Sequence, residues 1–270
     1  MKPSSTPVER VSVVVRGSTV RVARGGKGAP VLLVHGGWGG ADMHWSRVWD
    51  RLAARHDVIA PDLPGLGAVQ AQPLDSVADY ARWLVELLDA LSVERVVCIG
   101  NSFGASVAWS LAGRFPARCT GLILVDGFPM ARTPAPLGWL GHVPGMRRLA
   151  SAFVHRWIYD ESNLPRAFAD VRNVPAELRR AIVEAWPLVV SRYVDILVAG
   201  DGAPAPHVAP LLVFGMRDDL PGTRPRDAAR WRERLPGSTL RMIEGAGHFP
   251  QIEAPDAFVE AVESFIDREA

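Results

Sequence analysis

A serine held between glycines can act as a nucleophile. Gly100-Asn101-Ser102-Phe103-Gly104 presents one directly after the apolar run Val96-Val97-Cys98-Ile99. The stretch reads as a buried strand, a G-x-S-x-G turn and a helix beginning near Ala105, the setting of a nucleophile elbow. A sharp strand-to-helix turn strains the serine backbone, and the flanking residues must lack side chains that would clash. The turn also sets the N–H of Phe103 at a helix N-terminus, where developing negative charge is favoured.

A serine hydroxyl needs a base, and the base needs an acid to orient it. His248, in Gly245-Ala246-Gly247-His248-Phe249, lies between the last strand and the last helix. That position is the carboxyl edge of a sheet, where open α/β folds bind ligands. Three aspartates compete for the acid role. Asp218 follows the apolar run Leu211 to Phe214 and is preferred; Asp219 adjoins it; Asp126 ends the preceding strand and is the alternative. An oxyanion hole needs two backbone donors. Phe103 supplies one, and Gly37, in the glycine-dense loop His35 to Gly40, supplies the other. His35 itself reads as a structural loop histidine. The loop fits neither G-x-x-x-x-G-K-[ST] nor G-x-G-x-x-G, so phosphate binding is disfavoured. The remaining histidines show no HExxH spacing, so the sequence implies neither metal nor cofactor.

The elements that must position these residues alternate. Val11 to Val15 and Val20 to Ala23 read as a hairpin. Val31 to Val34, Val58 to Ala60, Val96 to Ile99, Leu122 to Val125, Leu211 to Phe214 and Leu240 to Ile243 read as strands. Helices are expected at Met43 to Arg55, Val77 to Leu91, after Ser102 to about Phe115, near Arg226 to Leu235, and from Pro255 to Arg268. Solid apolar strands alternating with helices predict a parallel sheet covered on both faces. The rhythm breaks over 128–210, which is rich in Trp, Arg and Pro. Helices are expected there at Met146 to Ile158, Ala176 to Trp186 and Val189 to Val198. The expected division is a core of 1–127 and 211–270 with a helical cap, or lid, at 128–210. Trp38, Trp139, Trp157, Trp186 and Phe249 are expected to line the substrate pocket.

The chain has 270 residues, 48% of them hydrophobic, and a net charge of +1. That supports one large domain and gives no sign of a nucleic-acid partner. Cys98 and Cys119 read as buried apolar residues rather than a disulfide framework. Met1 to Val11 contains no signal-peptide core, and no apolar run is long enough for a membrane span. A cytoplasmic enzyme with a small-molecule substrate is therefore expected. The arginine- and alanine-rich composition is compatible with a high-GC bacterial source.

Taken together, His35-Gly36-Gly37, Asp62-Leu63-Pro64-Gly65, Gly100 to Gly104, Gly215 to Asp218 and Gly247-His248 resemble the α/β-hydrolase superfamily in motif and order. The resemblance spans nearly the whole chain. It implies an α/β fold with an eight-stranded, mostly parallel sheet and a helical cap after the sixth strand. It also implies Ser102 as nucleophile, Asp218 as acid and His248 as base. Gly-Asn-Ser-Phe-Gly is similar to the elbow of meta-cleavage-product carbon–carbon hydrolases. Phe249 and Leu66-Gly67-Ala68-Val69 depart from that subgroup's Trp and Phe-Gly-x-Ser. Ser102 argues against dehalogenases and epoxide hydrolases, which carry an aspartate there. The expected function is a serine hydrolase acting on a medium-sized, largely apolar ester, thioester or related carbonyl compound. The alternative is a cofactor-free lyase or C–C bond-cleaving enzyme of specialised metabolism, with His248 as base. A non-catalytic receptor reusing the fold finds no support, because no triad position is lost.

Overall fold

The computed structural model describes residues 7–66, 74–130, 149, 161–183, 195–196 and 199–269. It opens with the hairpin β1 (Glu9–Val15) and β2 (Ser18–Gly25). Its two turn residues, Arg16 and Gly17, both have positive φ, 52° and 75°, which matches the twist of paired strands. β3 (Pro30–Val34), α1 (Ala41–Trp45), α2 (Trp49–Ala53), β4 (Asp57–Pro61) and α3 (Val77–Ala90) follow. Then come β5 (Val96–Asn101), α4 (Phe103–Arg114) and β6 (Cys119–Val125). Among the described residues, two short helices, α5 (Leu164–Ala167) and α6 (Ala176–Val183), precede β7 (Leu211–Gly215). The chain ends with α7 (Pro225–Arg234), β8 (Thr239–Ile243), α8 (Pro250–Glu253) and α9 (Pro255–Glu269).

The eight strands form one sheet in the order β1-β2-β4-β3-β5-β6-β7-β8. β1–β2 and β2–β4 are antiparallel; every pair from β4 to β8 is parallel. Alternate residues of the central strands face opposite ways. Leu32, Val34, Cys98, Leu122, Leu124, Leu212 and Phe214 therefore pack with α3, α4 and α7. Val31, Leu33, Val97, Ile99, Ile123, Val125, Leu211 and Val213 pack with α1, α2 and α9. Each such buried aliphatic contributes roughly 1.5–3 kcal/mol, and covering both faces is why these runs are uniformly apolar.

One expected element is corrected. The single helix over Met43 to Arg55 is two helices, because Val48 leaves the helical region (φ −124°). Trp45, Val48, Trp49 and Leu52 still reach the same core across the break. The expected helix at Met146 to Ile158 lies outside the described residues except for Leu149, and that at Val189 to Val198 lies almost wholly outside them. No helix among the described residues is long and apolar enough to cross a membrane. Both cysteines are free and buried.

After β3 the chain turns to β4 on one side, and β5 then adds on the other side of β3. The loops leaving β3 and β5 diverge there, opening a crevice at the carboxyl ends of the strands.

Candidate active site

Ser102 stands between β5 and α4 with φ 56° and ψ −121°, a conformation that a residue with a side chain holds only when its surroundings enforce it. Its N–H donates to the Val125 carbonyl at 2.9 Å. The enforcement is steric. A Cβ on Gly100 would lie 2.1 Å from the Gly104 carbonyl oxygen, and one on Gly104 would lie 2.2 Å from that of Val34. The helix packs onto the strand with no room for side chains, so the elbow holds the serine above the sheet edge.

His248 Nδ1 and Asp218 Oδ2 are 2.7 Å apart, and the two residues are only 5% and 2% exposed. The carboxylate accepts, so Nδ1 carries the ring proton and Nε2 remains as the basic nitrogen. Asp218 Oδ1 accepts the Leu220 N–H at 2.8 Å. The His248 N–H donates to the Ala167 carbonyl at 2.6 Å. Asp219 is placed elsewhere: it is exposed and pairs with Arg224 and Arg166. Asp126 is fully buried with φ 38°, and both its oxygens take the Gly215 N–H, at 3.0 and 3.3 Å. Burial, then the neighbouring Asp218, holds its carboxyl well above the usual carboxylate range. Among the described residues, Asp126, Asp218 and His248 are the group close enough to hold a metal ion, with one donor atom of each within 4.8 Å of the others. Two of these residues, Asp218 and His248, are already hydrogen-bonded to each other.

The loop after β3 is held by two buried imidazoles. His35 Nε2 accepts the Leu63 N–H at 2.8 Å. Its proton therefore sits on Nδ1, which donates to the Gly36 carbonyl at 2.7 Å. His44 Nε2 donates to the Trp38 carbonyl at 2.6 Å. Burial keeps both rings neutral, lowering His35 and bringing His44 down to about 3. A trans peptide points its C=O and N–H in opposite directions. The grip of His35 on the Gly36 carbonyl thus turns the Gly37 N–H away from His35. A Cβ on Gly36 would lie 3.0 Å from Ser102 Cβ, so this loop runs directly against Ser102.

Ser102, His248, Gly37 and Phe103 all line one cavity of about 370 Å³. Trp38, Phe128, Met130, Leu220 and Phe249 make its walls apolar. Two hydroxyls on the wall are turned onto backbone: Ser106 donates to the Phe128 carbonyl at 2.7 Å and Thr223 to the Leu220 carbonyl at 3.3 Å. Phe249 stacks on Phe168 and Trp38, with ring centroids 4.9 and 6.0 Å away. Trp139, Trp157 and Trp186 lie outside the described residues. Among the described residues no hydrogen bond joins Ser102 to His248; such contacts commonly tighten only around substrate.

Two residues that motif reading did not single out matter here. The Asn101 amide donates to the carbonyls of Val125 and His248, both at 3.1 Å. It ties the elbow to the histidine loop, yet it occupies a freely variable motif position. His44 braces the β3 loop, and its only trace in the sequence is a polar residue on the buried face of a short helix.

This sheet order, with a strained serine after β5 and an Asp–His pair on the loops after β7 and β8, defines the α/β-hydrolase architecture. A family profile described as alpha/beta hydrolase fold matches residues 29–255, and the chain belongs to that family. It is 30% identical over 258 residues to a 2-hydroxy-6-oxo-2,4-heptadienoate hydrolase of Pseudomonas putida, covering 90% of this chain and 91% of that one. It is 31% identical over 266 residues to a pimeloyl-[acyl-carrier protein] methyl ester esterase of Aeromonas hydrophila, covering 92% and 99%. Among solved structures, a thermophilic esterase from Thermogutta terrifontis aligns with a TM-score of 0.76 at 26% identity, covering 97% and 99%. The chain is an enzyme of the hydrolase class.

Proposed function

We propose that the protein is a serine hydrolase in which Ser102 is the nucleophile, His248 the general base and Asp218 its orienting acid. The observation that carries this reading is the buried 2.7 Å Asp218–His248 contact beside a strained serine on one cavity. His248 Nε2 takes the Ser102 proton as Oγ bonds to the substrate carbonyl carbon, and the carbonyl electron pair moves onto oxygen. The N–H groups of Phe103 and Gly37 hold that oxyanion. Collapse expels the leaving alcohol or thiol with the proton from His248. Water, deprotonated by the same nitrogen, then releases the acid and restores Ser102.

The apolar walls favour a medium-sized, uncharged acyl compound, and an ester is the substrate class proposed. The likeness to an esterase supports it. Carbon–carbon hydrolysis is the second reading, supported by the likeness to a heptadienoate hydrolase. We assign 128–210 as the cap over a core of 1–127 and 211–270. In support, Leu164, Ala167, Phe168, Val174 and Leu178 pack against Trp38, Met43, Phe249 and Ile252 beside the site.

A fluorophosphonate probe tests the serine directly. The native protein should be labelled and Ser102→Ala should not; an unlabelled native protein overturns the proposal. Turnover of p-nitrophenyl esters of graded acyl length, set against a dienoate C–C substrate, decides between the two readings.

A further inference from the structure

The acid partner of His248 has a second carboxyl beside it that the reaction as written does not use. Asp126, just after β6, is 0% exposed. One donor atom of each of Asp126, Asp218 and His248 lies within 4.8 Å of the others. The Gly215 N–H is shared between both Asp126 oxygens at 3.0 and 3.3 Å. One N–H shared between two oxygens leaves this buried carboxyl short of donors, with Asp218 close by. The groups acting on Asp126 are Asp218 on the loop after β7, His248 after β8, and the more distant Glu253 of α8. Glu253 already accepts the N–H groups of Gly247, Ala169 and Asp170. None of the three is a standing cation, and two buried like charges this close do not both persist.

We propose that Asp126 is a positioning residue that holds a proton and donates it to the Asp218 carboxylate, so that His248 leans on a hydrogen-bonded carboxyl–carboxylate pair rather than a lone aspartate. No bond other than this hydrogen bond forms. The proton stays on Asp126 through the cycle, and the net charge of the pair is one negative. Two consequences follow for the chemistry. Asp218 is fixed by three donors, from Leu220, His248 and Asp126. Its charge is also partly drawn off, so His248 is a weaker base than one facing an undivided carboxylate. This inference rests on Asp218–His248 being the relay.

A protonated carboxyl and a carboxamide have the same pattern, one acceptor and one donor. Asp126→Asn keeps the Gly215 contact and the donor to Asp218, and asparagine also tolerates positive φ. Asp126→Gly keeps the backbone conformation and removes both contacts. On the ester best turned over, the expected kcat/KM falls less than about threefold in Asp126→Asn and about tenfold or more in Asp126→Gly, the loss of one charge-assisted hydrogen bond. The acid limb of the kcat/KM–pH profile should move upward in Asp126→Gly only, because His248 then faces the full charge of Asp218.

A spectroscopic arm does not depend on turnover. The Ser102→Ala protein should show the infrared carbonyl band of a protonated carboxyl at neutral pH, and adding Asp126→Asn should remove it. Persistence of the band in the double variant, or activity lost equally in Asn and Gly, overturns the proposal. Failure of fluorophosphonate labelling would instead overturn the serine-hydrolase reading and leave the infrared result standing on its own.

Discussion

Replacing Gly36 with alanine tests how closely the β3 loop must approach Ser102, the proposed nucleophile. A Cβ there would meet Ser102 Cβ at 3.0 Å, His44 Cε1 at 3.1 Å and the Asn101 carbonyl oxygen at 3.2 Å. Carbon atoms in contact settle at roughly 3.5–4.0 Å, so something must move by about half an ångström. None of the three neighbours yields cheaply. Ser102 is fixed by the elbow, the His44 ring is tied to the Trp38 carbonyl, and Asn101 belongs to β5. The loop therefore moves, and Gly37 with it. Losing an oxyanion donor outright costs about 10²–10³ in kcat, and a 1 Å misplacement costs about 10². Half that displacement should lower kcat about tenfold with KM little changed. Overpacking of this kind costs about 1–3 kcal/mol, a Tm drop of roughly 2–10 °C for a domain of this size. The assays are steady-state ester hydrolysis, the rate of fluorophosphonate labelling, and thermal unfolding by circular dichroism. Gly104→Ala is the contrast: its Cβ would lie 2.2 Å from the Val34 carbonyl, so it should fail to fold. A folded Gly36→Ala enzyme with native kcat would refute the placement of the oxyanion donor on this loop.

Ser102→Gly should abolish labelling yet raise stability by about 1–2 kcal/mol, because the strain at φ 56° is relieved; a lower Tm than the native protein would contradict it. His44, brought down to about 3 from 6.5, stabilises the fold fully above about pH 6.5 and progressively less as the pH falls towards 3. The unfolded chain binds the extra proton in that window, so stability falls about 1.4 kcal/mol per pH unit through this one group. His44→Gln keeps a donor for the Trp38 carbonyl and should flatten the slope by that amount in chemical denaturation between about pH 6 and 4; equal slopes would show that His44 is not held neutral. Asn101→Ala strips donors from the carbonyls of Val125 and His248. It should cost about 2–4 kcal/mol and lower kcat; a loss below about 1 kcal/mol by urea unfolding would show that the tie is dispensable.

The sheet was legible because burial on both faces writes itself as solid runs such as Val31 to Val34 and Leu211 to Phe214. The helix of residues 43–55 was misread because its apolar spacing persists through the break: Val48 is as buried as its helical neighbours. The serine and histidine stood out through glycines and position. Chain order favoured Asp218 over Asp126 as the partner of the His248 ring, but both follow buried strands, so pattern alone did not exclude Asp126. Only the register of β6 against β7 sets which carboxyl meets the imidazole and which meets the Gly215 amide. The roles of Asn101 and His44 depend on carbonyls distant in sequence, which no local pattern encodes.

β6 and β7 lie side by side, pairing Ile123 to Val125 with Leu211 to Val213. The strands are parallel, so the long segment between them leaves the sheet at its carboxyl edge and re-enters, one strand over, at its amino edge. Closing a loop between two fixed points costs only logarithmically more as it lengthens. This excursion can accordingly be exchanged or resized as a graft while the scaffold beneath keeps its register.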